Sequence, residues 1–249
     1  MTGTVYLVGA GPGASDLLTV RAARLLGDAD VVFHDALIAD DVLRLASRAK
    51  KIPIGKRCGR HSTAQRFINK RLADAARSHR VVVRLKGGDP MLFGRAHEEI
   101  TYLAARGIRV EVVPGVTAAL AASAELAISL TRRGAARSVS LVTPRVGKGE
   151  RESRWIESVL AADTAAIYMG AGEAEAIAAA LIGAGKPANT PLALVEDASL
   201  PAMRIQYATL ADLPRLATRG GPTLILLGEV YREALASAVS RPLRRRAGG

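Results

Sequence analysis

Three groups of residues could do chemistry together. Gly87-Gly88-Asp89-Pro90 ends a β-branched run, Val81-Val82-Val83, and hands the chain to a charged segment. Paired glycines admit backbone conformations closed to residues with a Cβ and let a ligand touch the main chain, while Asp-Pro fixes a turn. Taken alone, this is also what an ordinary strand-to-helix turn looks like. Arg95 and Glu98 add chemistry: three apart, they share one face of a helix that starts at a strand's carboxyl end, where open α/β sheets bind ligands. The third is Asp35, the acid closing the strand Asp30–Asp35. Its position leaves two readings open, a turn cap or a catalytic group on the same sheet edge.

A second glycine loop, Gly9-Ala10-Gly11-Pro12-Gly13-Ala14, follows the apolar strand Thr4–Val8 and precedes a helix whose predicted cap is Ser15 or Asp16. Its glycines alternate, whereas the dinucleotide fingerprint places the third glycine one residue later, and Pro12 removes an amide that would face a pyrophosphate. The loop suits a smaller nucleoside or a bulky substrate approaching the backbone. Lys56-Arg57-Cys58-Gly59-Arg60-His61 gathers positive charge, either as a solvated loop or as a carboxylate-binding lid. Cys58 is the only cysteine, which excludes an internal disulfide and a cysteine-built metal site, and His61 stands too much alone to propose as a metal ligand. No metal is expected.

These groups need a scaffold that brings strand ends to one edge. Over residues 1–114 strands and helices alternate through four or five rounds, the pattern of a mostly parallel sheet with helices on both faces, and we place the domain boundary near Pro114. Over 115–240 a small-residue helix, Ala118 to Leu126, precedes strands at 138–142, 164–169, 191–195, 203–207 and 222–227. Only a short helix at 210–216 separates the last two, so the second sheet is expected to be mixed. The fold class is therefore α/β, with two α/β domains. The end, 241–249, reads as a disordered basic tail.

The 249 residues are 49% hydrophobic, ample for packed cores, and carry a net charge of +12. Nucleic acid is the first acidic partner to consider, yet only 4% of residues are aromatic and no stacking residues interleave with the arginines. A small polyanion accounts for the charge as well, and no nucleic-acid partner is expected. No apolar run approaches the roughly 18 residues a membrane helix needs, and the first residues lack a secretory pattern. A cytoplasmic location and no membrane partner are expected.

Taken in order, Gly9-Ala10-Gly11-Pro12-Gly13, Asp30 to Leu37, Gly55-Lys56-Arg57, Gln65 to Asn69, Arg84 to Glu99, Val113 to Ala119, Leu130 to Arg133, Tyr168-Met169-Gly170 and Leu227-Gly228-Glu229-Val230 resemble the uroporphyrinogen-III C-methyltransferases of the tetrapyrrole methyltransferase family. The resemblance implies S-adenosylmethionine as donor, leaving S-adenosylhomocysteine. It also implies two successive methylations of uroporphyrinogen III, through precorrin-1 to precorrin-2, and a homodimer with the active-site cleft between the two domains. Carried over by position, Pro12, Gly87, Gly88, Asp89, Thr117, Ala118, Met169, Pro222 and Thr223 would bind the cofactor. Gly11, Lys56 and Arg133 would bind a polycarboxylate tetrapyrrole, and Asp35, Arg95 and Glu98 would be catalytic. Asp35 is the better base, because a guanidinium with a pKa above about 12 stays protonated near neutrality. Three departures border the substrate side: Ala36 where a basic residue is usual, Arg132 for a histidine, and Thr143-Pro144-Arg145 for a Thr-Gly-His turn. The alternatives are a relative methylating a later corrinoid intermediate and, in another class, a basic nucleic-acid-binding module without catalysis.

Overall fold

The computed structural model describes residues 2–54, 65–147, 151 and 153–240, and divides after Ala118 into two compact units. The first holds β1 (Thr4–Gly9), α1 (Val20–Asp28), β2 (Val31–His34), α2 (Asp40–Arg44), β3 (Lys50–Pro53), α3 (Gln65–Ser78), β4 (Val81–Lys86), α4 (Ala96–Ala104) and β5 (Arg109–Val113). Its five strands run in the order β3-β2-β4-β1-β5, all parallel. Strands buried on both faces read as unbroken apolar runs, which is why Val81-Val82-Val83 shows no alternation.

Period two then assigns the faces. Val5, Leu7, Val31, Phe33 and Val82 pack with Ile68, Leu72 and Ala76 of α3 and Ala96 and Leu103 of α4. Val8, Val32, Val83 and Leu85 pack on the opposite face with Ala22 and Leu26 of α1 and Val42 of α2. Each large aliphatic side chain buried here contributes about 1.5–3 kcal/mol relative to exposure. The neighbouring strands β1 and β4 send their outgoing helices, α1 and α4, to opposite faces, the arrangement at whose carboxyl edge open α/β sheets bind ligands.

The second unit carries α5 (Ala118–Leu126), β6 (Val139–Val142), α6 (Trp155–Ala161), β7 (Thr164–Tyr168), α7 (Ala174–Gly183), β8 (Pro191–Glu196), β9 (Arg204–Thr209), β10 (Thr223–Gly228) and α8 (Arg232–Ser240). Its sheet is mixed, in the order β6-β7-β10-β8-β9: β6 and β7 run parallel, and the remaining neighbours are antiparallel. The short helix expected between β9 and β10 is a 3-10 turn, Leu210–Arg215, opened by a capping box of Thr209 and Asp212. Among the described residues no helix is long and apolar enough to cross a membrane.

Two local expectations are corrected. Ser15 and Asp16 do not cap α1; they form a 3-10 turn, and the cap is Thr19, whose Oγ1 accepts from the Ala22 amide at 3.2 Å. The glycine loop needs the extra residues of that turn before the chain can swing into α1. Arg95 lies outside α4, at its N-cap position in the left-handed region (φ 55°), so it and Glu98 meet around a helix start and not along a helix face. The basic tail, 241–249, and the segment 55–64 lie outside the described residues.

Candidate functional site

At the carboxyl ends of β4, β1 and β5 three loops cross backbone to backbone. Gly11 and Gly88 exchange two main-chain hydrogen bonds, Gly88 N to Gly11 O at 2.7 Å and Gly11 N to Gly88 O at 3.2 Å. Gly88 sits at φ +63°, a conformation side chains rarely adopt. The Gly88 carbonyl is then wedged between the other two loops: a Cβ on Gly9 would stand 2.7 Å from it, and a Cβ on Gly115 only 2.3 Å. Asp89 locks the crossing. Its Oδ1 accepts from Met91 N at 2.7 Å and its Oδ2 from Gly115 N at 2.9 Å, which ties the β4 loop to the β5 loop. Thr117 follows, its Cα 4.0 Å from where a Gly88 Cβ would be. Gly87 differs: it is exposed, its backbone is not left-handed, and no described atom lies within 4 Å of the Cβ it lacks. Neither conformation nor packing requires a glycine there.

Behind this crossing lies a buried ion network. Arg84, Lys86 and Asp35 fall on the sheet face that α3 and α4 cover. There Glu99 of α4, completely buried, accepts from Arg84 Nε at 3.2 Å, from Lys86 Nζ at 3.2 and 3.1 Å, and from Gln65 Nε2 at 3.1 Å. Arg84 also donates through Nη1 to the Leu85 carbonyl (3.0 Å) and through Nη2 to Asp35 Oδ1 (2.5 Å). Burial pushes the Lys86 ammonium below its ordinary pKa, and the Arg84 charge adds to the effect while Glu99 and Asp35 oppose it. Asp35 is only partly covered, its side chain 32% exposed. It does not cap the following turn with its side chain; the Ile38 amide is met by the Asp35 carbonyl.

Arg95 and Glu98 form an exposed two-point pair, Nε to Oε1 at 2.6 Å and Nη2 to Oε2 at 2.8 Å, and this hydrogen bonding holds the Glu98 carboxyl below the usual carboxylate range. Pro12 is half-buried in the first glycine loop and Gly11 is buried. Lys56 lies outside the described residues.

In the second unit, Met169 leaves β7 with φ +57° and is 44% exposed. Pro222 and Thr223 lead into β10, where Leu224 pairs with Tyr168, so Met169 and Thr223 stand at one sheet edge. Ala118 opens α5, whose next amide, Ala119 N, donates to Tyr168 Oη at 3.2 Å. Arg133 is exposed, and Arg132 pairs with Glu233 at 2.9 Å. In Thr143-Pro144-Arg145, Arg145 N donates to Thr143 Oγ1 at 3.3 Å.

Sequence reasoning missed Arg84, Lys86 and Glu99 as members of the site. The signal was present: two cations two residues apart in a strand otherwise apolar on both faces must both be buried on one face and need a buried acid. Glu196 was missed as well. It ends β8 at 2% exposure, accepts from the Arg219 and Gly221 amides at 2.7 and 3.0 Å through Oε1, and among the described residues has no hydrogen-bond partner at Oε2. Burial, reinforced by the Glu196 charge, raises the pKa of its neighbour Asp197.

With this geometry in place, the chain can be set beside known proteins. A model of the tetrapyrrole (corrin/porphyrin) methylases matches residues 4–214. A siroheme synthase of Pseudomonas fluorescens (strain Pf0-1) is 47% identical over 241 residues, 94% of this chain and 52% of the relative. A siroheme synthase of Azotobacter vinelandii is 45% identical over 234 residues, covering 92% and 50%. The chain thus spans about half the length of the curated relatives it matches. Among solved structures, uroporphyrin-III C-methyl transferase from Thermus thermophilus complexed with S-adenyl homocysteine is similar at a TM-score of 0.82 and 41% identity, over 93% of this chain and 100% of that one. A cobalt precorrin-4 methyltransferase is similar at 0.80 and 28% identity, over 91% and 95%.

Proposed function

This chain belongs to the tetrapyrrole (corrin/porphyrin) methylase family, and on that premise we propose that it methylates uroporphyrinogen III twice with S-adenosylmethionine, giving precorrin-2. The observation that carries the reading is the three-loop glycine crossing at the carboxyl ends of β4 and β1, beside a partly exposed aspartate held by a buried arginine. Open space at Gly87 fits a ligand laid on the main chain.

S-adenosylmethionine, when bound, supplies an already activated methyl group. The protein's share of the work is alignment and proton removal. Pro12, Gly87, Gly88, Asp89, Thr117 and Ala118 would hold the cofactor from the first unit's loops and the start of α5, and Met169, Pro222 and Thr223 from the edge of the second sheet. Arg95, Lys56 and Arg133, with Gly11, would face the substrate's carboxylates, Arg95 being kept in place by Glu98. Asp35 would take the proton from the methylated carbon, since carboxylates act as bases near neutrality and guanidinium groups do not. The same reading makes the protein a cytoplasmic homodimer.

Calorimetric titration of the protein with S-adenosylhomocysteine, followed by methyl transfer to uroporphyrinogen III, tests the proposal. Binding followed by formation of a dimethylated product supports it, and no heat with the cofactor product overturns it. Binding without turnover on uroporphyrinogen III, but with turnover on a later corrinoid, would reassign the substrate.

A further inference from the structure

We propose that Arg84, itself held by Glu99, is the positioning residue that aims Asp35; the inference rests on the reading of Asp35 as the base. Each of the three guanidinium nitrogens of Arg84 has a different partner: Glu99 Oε1, the Leu85 carbonyl and Asp35 Oδ1. The side chain is 4% exposed, so it can neither swing to solvent nor exchange partners without stranding a buried charge. Glu99 fixes it from behind, on a carboxylate that also collects Lys86 and Gln65.

Four elements meet in this network of Arg84 and Glu99. They are β2, which Asp35 follows directly; β4, whose Lys86 immediately precedes the glycine loop; α3, which starts at Gln65; and α4, which carries Glu98 beside Glu99. Asn69 of α3 adds a bond to the Glu98 carbonyl at 3.3 Å. Buried ion networks add little net stability over well-packed apolar residues of the same volume, whereas they hold geometry sharply. Here Oδ1 of Asp35 is fixed from the buried side while the carboxylate remains partly exposed, as a base that must meet a substrate proton requires.

The test is a double-mutant cycle in single-turnover methylation of uroporphyrinogen III at saturating cofactor and substrate. Arg84→Lys keeps the charge that Glu99 needs but cannot span three partners, so the rate should fall about tenfold or more while S-adenosylhomocysteine affinity stays within about twofold. If Arg84 acts through Asp35, the Asp35→Asn, Arg84→Lys double variant should be no slower than Asp35→Asn alone, within about threefold. A merely structural role would make the losses multiply, and that result overturns the inference. So does an unimpaired Arg84→Lys beside a slow Asp35→Asn. A fast Asp35→Asn beside a slow Arg84→Lys instead removes Asp35 as the base, and the inference with it. Should Arg84→Lys fail to fold by circular dichroism, Glu99→Gln, which keeps shape and drops the charge behind Arg84, takes its place in the cycle, and the same rate patterns support or overturn the inference.

Discussion

Glu99 in the first unit and Glu196 in the second are both buried carboxylates, and they are satisfied in opposite ways. Glu99 meets three side chains from two elements, two of them cations. Glu196 meets two amides of one neighbouring loop and leaves an oxygen without a partner among the described residues. A carboxylate neutralised by side chains ties distant elements together, and its loss strands other charges. One satisfied by loop amides shapes a single turn, and its loss strands two neutral groups. Glu99 thus joins its elements by charge, and Glu196 shapes its turn through backbone amides.

The largest expected effect follows from that difference. Glu99→Ala leaves Arg84 and Lys86 buried without their shared acid, and breaking a buried pair in this way costs about 3–5 kcal/mol. Glu196→Ala leaves the Arg219 and Gly221 amides unpaired, about 1–3 kcal/mol. Urea unfolding of both variants checks the ordering, and equal losses would break the comparison. Glu196→Gln sharpens it further: with the neighbouring charge gone, the Asp197 carboxyl should titrate lower than in the wild type, as followed by NMR.

Within the first unit, two glycines separate packing from ligand space. Gly115→Ala places a Cβ 2.3 Å from the Gly88 carbonyl, a backbone atom that cannot step aside, and should cost about 1–3 kcal/mol and open the three-loop crossing. Gly87→Ala should leave stability within about 0.5 kcal/mol, because its Cβ enters open space. S-adenosylhomocysteine titration should nevertheless show weaker binding. If Gly87→Ala binds as the wild type does, the open space at Gly87 is solvent and not ligand room.

How much of this could be read from the chain alone depends on sequence distance. The strands announced themselves because a buried parallel strand is an apolar run, and the mixed second sheet followed from the short link between β9 and β10. The two glycine loops stood out for the same local reason. What stayed hidden was long-range. Nothing near Gly115 says that Gly9 and Gly88 will press on it, and the helical spacing that singled out Glu98 passed over Glu99, whose partners are 13 to 34 residues away. The Ser15-Asp16 pair looked like a cap because capping chemistry is local, whereas the geometry that moved the start of α1 to Thr19 is set by where the loop must go.

The smallest expected effect concerns a device the two sheets share. Asp30 precedes β2 and its Oδ2 accepts from the amides of Arg80 and Val81, where the neighbouring β4 begins. Asp163 precedes β7 and its Oδ2 accepts from Arg137 N, Ser138 N and Ser138 Oγ at 2.8, 3.0 and 2.8 Å, where the neighbouring β6 begins. These bonds, the Arg137 amide foremost, lower the pKa of the Asp163 carboxyl. A carboxyl lowered on folding adds stability that is complete above its unfolded pKa and is lost as pH falls through the folded one. The difference in stability between wild type and Asp163→Asn should therefore be full above about pH 5 and shrink steadily at lower pH, as the wild type takes up the proton that the variant cannot bind. Being exposed, the charge should also count for less in high salt. Thermal melts of the two proteins across that range decide: a gap that does not change with pH would mean that the shape of Asp163, and not its charge, starts the strand pair.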